Sequence, residues 1–477
     1  MALLPFLVAV QQLVSPTLQS PRRDSIPLSL PAAVERAIRI GDESRSAAAQ
    51  VDIADAQVMI ARSAGLPQLR FNGSQSHVFE SARASAVGSI FNQPNTYTAN
   101  ATLSQTLFQG GRIVAGSRAA RDVRAAARLD QSETGAQVSL DVQRAYLQAL
   151  FAGNLADIQE TALALASRRV SQMQQFLQAG RASRYDVLRA GVERSNLQPV
   201  AIQARSGVEL ALLELRRLIN VPFDQPLKLT STVDTASVLA WVAQLRADQA
   251  SIDRSAVRSA ELVARARRAA VTVARADLWP SISIGGLMGA QAFPPGGFPT
   301  GRGRLVTVPC PAGSADGRVC TQQNGGWFGD KSFGIAVGLP IFDGFRSRGA
   351  ISLASAQSRL ADLQLAQTRE RVASEAARAR ADLDRAEALF TTRGQNAAEA
   401  AEAFKLAELR QARGLATQLE VADAQLALTV ARTNEARAVY DLYLSAAGYA
   451  RALGRAPQPF DVPLLKYASP TDQSRVQ

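Results

Sequence analysis

Histidine and cysteine are nearly absent from this 477-residue chain, which holds one histidine (His77) and two cysteines (Cys310, Cys320). Tetrahedral zinc sites and Cys/His nucleophile pairs need more of both, so those chemistries fall away at the outset. With four methionines besides, there is no ladder of soft ligands for copper or silver. Aromatics are only 6% of the chain. The apolar complement is mostly Ala, Leu and Val, which suits close-packed helices. No stretch reaches 18 consecutive apolar residues, so a membrane-crossing helix is excluded and any insertion must use strands. Clustered charge is missing too. Lys+Arg number 53 against 41 Asp+Glu, a net +12, yet the arginines stand singly along Ala-rich stretches, with short doublets such as Arg168-Arg169 and Arg216-Arg217. No basic run is interleaved with aromatics, so the excess reads as solvated helix faces and not as a nucleic-acid footprint.

What is present is a duplication. Residues 103–112 (LSQTLFQGGR) align with 337–346 (VGLPIFDGFR), placing Phe108, Gly110 and Arg112 on Phe342, Gly344 and Arg346 at an offset of 234. Further on, 180–190 (GRASRYDVLRA) aligns with 414–424 (GLATQLEVADA) at the same offset. An unchanged spacer is what a rigid helix demands. Upstream, GLPQLRFNG (65–73) matches LWPSISIGG (278–286) through Pro67 and Pro280 at an offset of 213. The second copy therefore carries 21 extra residues (234 less 213), which fall in the Gly/Pro-rich stretch 293–330 and read as an enlarged loop.

Proline is missing between Pro94 and Pro199 and between Pro340 and Pro457, and both windows are filled with strong helix formers. Val138, Val142, Ala145 and Ala149 recur at spacings of three and four. A helix filling the 68-residue spacer would be about 100 Å long, which no compact domain needs and a coiled coil or tube does. Period two appears elsewhere. Tyr97, Ala99, Ala101 and Leu103 alternate with Thr98, Asn100, Thr102 and Ser104, and Phe333, Ile335, Val337, Leu339 and Ile341 alternate with smaller residues. Ser281–Ala292 does the same, and Leu69 and Phe71 open a weaker fourth strand running to His77. Apolar-out, polar-in segments of this kind mark a transmembrane barrel. Four strands cannot close one, and open edges are not tolerated in lipid, so several chains must contribute; the smallest symmetric solution is three chains with twelve strands.

The order, duplication and matched spacing of Pro67/Pro280, FQGGR/FDGFR (108–112, 342–346) and GRASRYDVL/GLATQLEVADAQ (180–188, 414–425) resemble the TolC-like outer-membrane efflux protein family, over about residues 28–455. The resemblance implies a mixed α/β, mostly α membrane protein. Its trimer would form a 12-stranded transmembrane β-barrel continuous with a periplasmic α-helical barrel. The expected organisation is a signal-like segment at 1–27 and a first repeat at 28–219, with strands near 68–79 and 97–107, a long helix near 112–179 and a turn at 180–185. An equatorial connection follows at 220–245. The second repeat, 246–455, holds strands near 281–292 and 333–342, a long helix near 346–413 and a turn at 414–418, before a tail at 456–477. The function implied is a passive outer-membrane exit duct for tripartite efflux or type I secretion. Its partners would be a homotrimer's other copies, a periplasmic adaptor, an inner-membrane pump and outer-membrane lipid, with no cofactor and no catalysis.

The same resemblance places the periplasmic entrance and adaptor-docking turns at Gly180, Arg181, Ala182, Ser183 and at Gly414, Leu415, Ala416, Thr417, and the strand-to-helix landmarks at Phe108, Gly110, Gly111, Phe342 and Gly344. An acidic ring would comprise Asp186, Glu420 and Asp423. The same acids also suit helix starts, where the dipole favours negative charge. Two departures stand out. Arg189 occupies the position matching Asp423, and Ala416 stands where the best-studied member has a latch arginine. In the oxidising compartment implied, Cys310 and Cys320 would close a disulfide across the enlarged loop, with free thiols as the alternative. A soluble periplasmic helical-hairpin adaptor or scaffold is the rival reading, and it leaves the duplicated amphipathic strands unexplained.

Overall fold

One unit occurs twice along the chain, each time as a helix, a strand pair, a very long helix and a return helix. The computed structural model describes residues 24–80, 94–231, 235–247, 254–309 and 319–455. Strand β1 (Ile26–Leu28) and helix α1 (Leu30–Ile40) come first. The first unit follows as α2 (Asp42–Ser63), β2 (Gln68–His77), β3 (Asn95–Gln109), α3 (Arg112–Gln178) and α4 (Arg184–Leu218). A connection of β4 (Leu227–Leu229) and α5 (Thr235–Ala247) leads to α6 (Ser255–Arg275) and β5 (Ser281–Ala292). Then come β6 (Leu305–Pro309), β7 (Val319–Gln323), β8 (Trp327–Gly338), α7 (Arg346–Ala412) and α8 (Gln418–Ala452).

The proline-free windows fold as expected of them. Helices α3 and α7 are each 67 residues long and α4 and α8 are each 35. Helix α4 runs on through Pro199. The two long helices begin alike, from a pair of left-handed residues: Gly110 and Gly111 before α3, Gly344 and Phe345 before α7. Gly110 has a second reason to lack a side chain, since a Cβ there would lie 2.8 Å from the Ala276 carbonyl oxygen and from the Trp279 Cβ.

Strands β2, β3, β5 and β8 form one antiparallel sheet in that order, leaving β2 and β8 as its edges. The helices nearest the sheet follow the same sequence, since α2 packs on α3, α3 on α6, and α6 on α7. Beyond mid-length, α3 packs against α4 and α8, and α7 against α8. The main core lies at the middle of the long helices. There Val138, Val142 and Tyr146 of α3 meet Leu28, Leu30, Trp241 of α5, Leu383 of α7 and Tyr443 of α8. Val138, Val142, Ala145 and Ala149, the periodic set in the sequence, are all buried.

Two expectations need correcting. The last strand occupies Trp327–Gly338 and not 333–342. Its partner β5 ends at Ser281, opposite Gly338 and next to Pro280, and Pro340 has no N–H to extend the ladder. Leu339 and Ile341 keep the apolar alternation outside the sheet, both exposed. The enlarged segment is also more than loop, because β6 and β7 pair within it as an antiparallel hairpin. Cys310, residues 1–23 and the tail from 456 lie outside the described residues, and with them the disulfide and most of the signal-like segment; the end expected for that segment at 27 runs too far, since Ile26 and Pro27 pair with Leu227 and Lys228 in β1.

Candidate channel wall and entrance

Register turns the four strands into a two-faced wall. On one face Leu69, Phe71, Leu103, Ala101, Ile282, Ile284, Met288, Phe333, Ile335 and Val337 stand in cross-strand rows. The bulky members are solvent-exposed in the single chain, Phe71 at 75% and Ile335 at 66%. The other face carries Arg70, Asn72, Ser74, Thr98, Asn100, Thr102, Ser332 and Asp330, with Leu287 and Phe328 as large apolar exceptions. Its polar groups bond across the strands: Asn72 Nδ2 donates to Asn100 Oδ1 at 3.3 Å, and the Ser74 and Thr98 hydroxyls lie 2.6 Å apart. From Val337 to Trp327 of β8, ten residue steps span about 33 Å along the strand and about 25 Å of height at a ~40° tilt. That is the height of a barrel's apolar band. Among the described residues no helix is long and apolar enough to cross a membrane.

Both edges of the sheet lack a partner strand, apart from residues 301–303, which bond to Trp327 at one end of β8, and the helices beside them are apolar on the same flanks. Beside the edge strands, α2 exposes Ile53, Met59 and Ile60, and α7 exposes Leu353, Leu360 and Leu363. Where the wall joins the helices, the landmark residues do different jobs. Arg112 pairs with Asp277 and donates to the Val273 carbonyl at 3.4 Å. In the second copy, Phe342 and Phe345 meet edge to face, with Arg348 over the Phe345 ring.

At the far end the two turns are built alike. Gly180 (φ 68°) and Gly414 (φ 75°) are left-handed. Arg181 N donates to Phe176 O at 2.7 Å and Leu415 N to Arg410 O at 2.8 Å, which closes each helix end in the same manner. The next helices start with capping boxes: Ser183 with Asp186, and Thr417 with Glu420. The Asp186 carboxylate accepts from Ser183 Oγ (2.7 Å) and Ser183 N (2.9 Å), and these bonds hold its pKa below the usual carboxylate value. Two of the three expected ring acids thus turn toward their own helix starts. Glu420 also lies 3.9 Å from Arg410, and Arg189 acts on Asp186. Asp423 is exposed, and no ion pair to it occurs among the described residues. The two turns touch through Gln418 and Met173, the latter buried with Val170 and Ala190. Around them Tyr185, Leu188, Leu415 and Leu419 are exposed.

Two features of the middle escaped the sequence. The Tyr146 hydroxyl donates to Leu28 O (2.8 Å) and accepts from Ser231 N (3.0 Å), tying β1 and the chain after β4 to α3. Arg254, its side chain 5% exposed, meets Glu133 of α3 at 2.7 Å and Glu375 of α7, while Arg451 of α8 reaches Glu133 at 3.1 Å. Burial works against the Arg254 charge, but the two carboxylates outweigh it and hold its pKa up, and the hydrogen bond and charge of Arg254 lower the Glu375 pKa against its own burial. No motif foreshadows this knot, because each carboxylate is 121 residues from Arg254.

A strand wall with one apolar and one polar face, set end-on to helices of about 100 Å, defines a channel carried on a helical shaft. The chain belongs to the outer membrane efflux protein family, whose model matches residues 44–221 and 247–455, one stretch per repeat. Solved structures share the fold. VceC, an outer-membrane protein of Vibrio cholerae, is 19% identical, with 90% of this chain and 97% of that one covered and a TM-score of 0.69. The CmeC outer-membrane channel of Campylobacter jejuni (16% identity, 93% and 88% covered, TM-score 0.72) and the open-state MtrE channel of Neisseria gonorrhoeae (21%, 90% and 90%, 0.64) are similar. Among curated protein sequences none matches. The protein is an outer-membrane efflux channel extending into the periplasm, of a family that works with adaptors and inner-membrane pumps and is not a family of enzymes.

Proposed function

We propose that three copies of this chain close into a twelve-stranded barrel and a continuous helical tube. The tube would conduct solutes passively from an inner-membrane pump, in efflux or type I secretion. The observation that carries this reading is the pair of unpartnered edges, β2 with α2 and β8 with α7, each bearing exposed apolar side chains on a wall that is polar on its other face. Joining β8 and α7 of one copy to β2 and α2 of the next satisfies the strand edges that lipid would penalise. Residues 220–245 with α1 form the equatorial belt, and the part of residues 1–27 that precedes β1 serves as the export signal. Phe108, Gly110, Gly111, Phe342 and Gly344 set the passage from wall to tube, and Cys310 and Cys320 close a disulfide outside it. A soluble adaptor or scaffold would have no use for the exposed apolar face.

The turns around Gly180, Arg181, Ala182, Ser183 and Gly414, Leu415, Ala416, Thr417 form the periplasmic entrance and dock the adaptor through Tyr185, Leu188, Leu415 and Leu419. Of the acids Asp186, Glu420 and Asp423, Asp423 contributes most to the field at the mouth, since the other two are held by their helix starts and nearby arginines. The test is native mass with and without detergent. A detergent-dependent species of about 152 kDa, three times 50.7 kDa, is expected, and a monodisperse detergent-free monomer would overturn the reading. In planar bilayers, Asp423→Asn should lower cation selectivity more than Asp186→Asn does.

A further inference from the structure

The apolar face of the wall carries one charge that the channel reading does not use. Lys331 of β8 lies opposite Met288, in the row that continues through Ala101 to Phe71, and it is exposed. If that face meets lipid, as the proposed function holds, a lysine there is costly unless its stem climbs to the interface and finds an anion. Among the described residues none lies on that face. Strands β2, β3, β5 and β8 contain a single acid, Asp330, whose side chain alternates to the polar face. Because every strand of a symmetric barrel is a copy of these four, no neighbouring strand supplies an outward carboxylate either.

The surroundings of Lys331 suit a climb toward the end of the wall remote from the helices. The next row is Gly329, Ala290, Ala99 and Gly73, which leaves the surface low beside the lysine stem. The row above holds Trp327 and Tyr97, and Phe298 from the enlarged segment packs edge-on to both, at 6.3 and 5.6 Å between ring centres. Phe298 itself is 72% exposed. Trp327 Nε1 donates to Pro299 O (3.3 Å), Trp327 N to Gly301 O (3.1 Å), and Gly303 N to Trp327 O (2.8 Å). The segment thereby lies along the rim of β8, bringing the exposed Arg302 and Arg304 to the level of these aromatics. Aromatic rings at that height mark a membrane–water interface. Among the described residues at this end, the carboxylates are Asp330 and Glu80.

We infer that Lys331, with Arg302 and Arg304 above it, forms a lipid-facing site on each copy for the phosphates of an anionic lipid of the outer leaflet. The enlarged segment of the second repeat builds the upper half of that site. The experiment titrates detergent-solubilised protein with lipid A or with its dephosphorylated form and counts bound lipid by native mass spectrometry. Wild type is expected to prefer the phosphorylated lipid, and Lys331→Gln to weaken that binding about fivefold. Lys331→Arg should retain it, Arg302→Gln with Arg304→Gln should weaken it further, and Glu80→Gln should leave it unchanged. Equal binding of the two lipids by wild-type trimers, or a Lys331→Gln variant that binds like wild type, overturns the proposal. The lipid-free spectra separate the two readings, since a wild type that forms no trimer overturns the barrel itself and this site with it.

Discussion

The middle of the helical shaft and its tip are held together by different physics. At the middle, side chains from both repeats and from the connecting segment converge on Tyr146, Tyr443, Leu30 and Trp241, and a buried Arg254 at the start of α6 pins acids of α3 and α7. At the tip the buried cluster shrinks to Val170, Met173 and Ala190, and the helix ends are fixed by local hydrogen bonds: two left-handed glycines and two capping boxes. Burial couples distant parts of the chain, whereas caps hold only their own turn. In the proposed duct the waist would stay rigid while the tip, held only by local bonds, could rearrange at small cost.

The sharpest way to break this contrast is Arg254→Ala. It leaves Glu133 with Arg451 alone and the half-exposed Glu375 without its buried cation, and a loss of about 2–3 kcal/mol in denaturant unfolding of the detergent-solubilised protein is expected. A loss below 1 kcal/mol would mean that the knot is solvated and the waist owes its stability to apolar packing alone. Tyr146→Phe is next. It removes one hydroxyl, takes the partner from Ser231 N and leaves Leu28 O with Thr230 N alone, at a cost of about 1–2 kcal/mol. Faster amide exchange should appear at β1 and β4. Ser183→Ala and Thr417→Ala should each cost about 1 kcal/mol, confined to the tip. Exchange there should quicken while the global unfolding midpoint stays put, and a shift of that midpoint would show that tip and waist are one cooperative unit.

Acid offers the smallest perturbation. The folded Asp186 has a depressed pKa, so its box is fully formed above the unfolded carboxylate value of about 3.9. The box is lost as pH falls through the lower folded value. Tip protection should hold from neutral pH to about 5 and fade only below about 4. Loss of protection near pH 6 would point to another group.

Much of this protein is legible in one dimension because its elements are long and periodic. The equal spacers, the absence of proline and the period of three and four at Val138–Ala149 determine two 67-residue helices and their turns. The glycines at 180 and 414, each followed three residues on by Ser or Thr, mark where those helices stop and restart, since both signals act within a single turn of chain. Alternation betrayed β3 and β5 for the same local reason. It misled at β8, where Gly329, Asp330 and Lys331 do not look like a strand and are one only because β5 pairs with them. The hydroxyl contacts of Tyr146 and the Arg254 knot were decided by tertiary structure. Each depends on which groups meet after folding, and hydrogen bonds and ion pairs leave no period in the sequence. What the sequence determined alone was the repeated scaffold. The folded chain decided which strands lie at the sheet edges, which face of the wall gathers the apolar rows and which charges are spent within the chain.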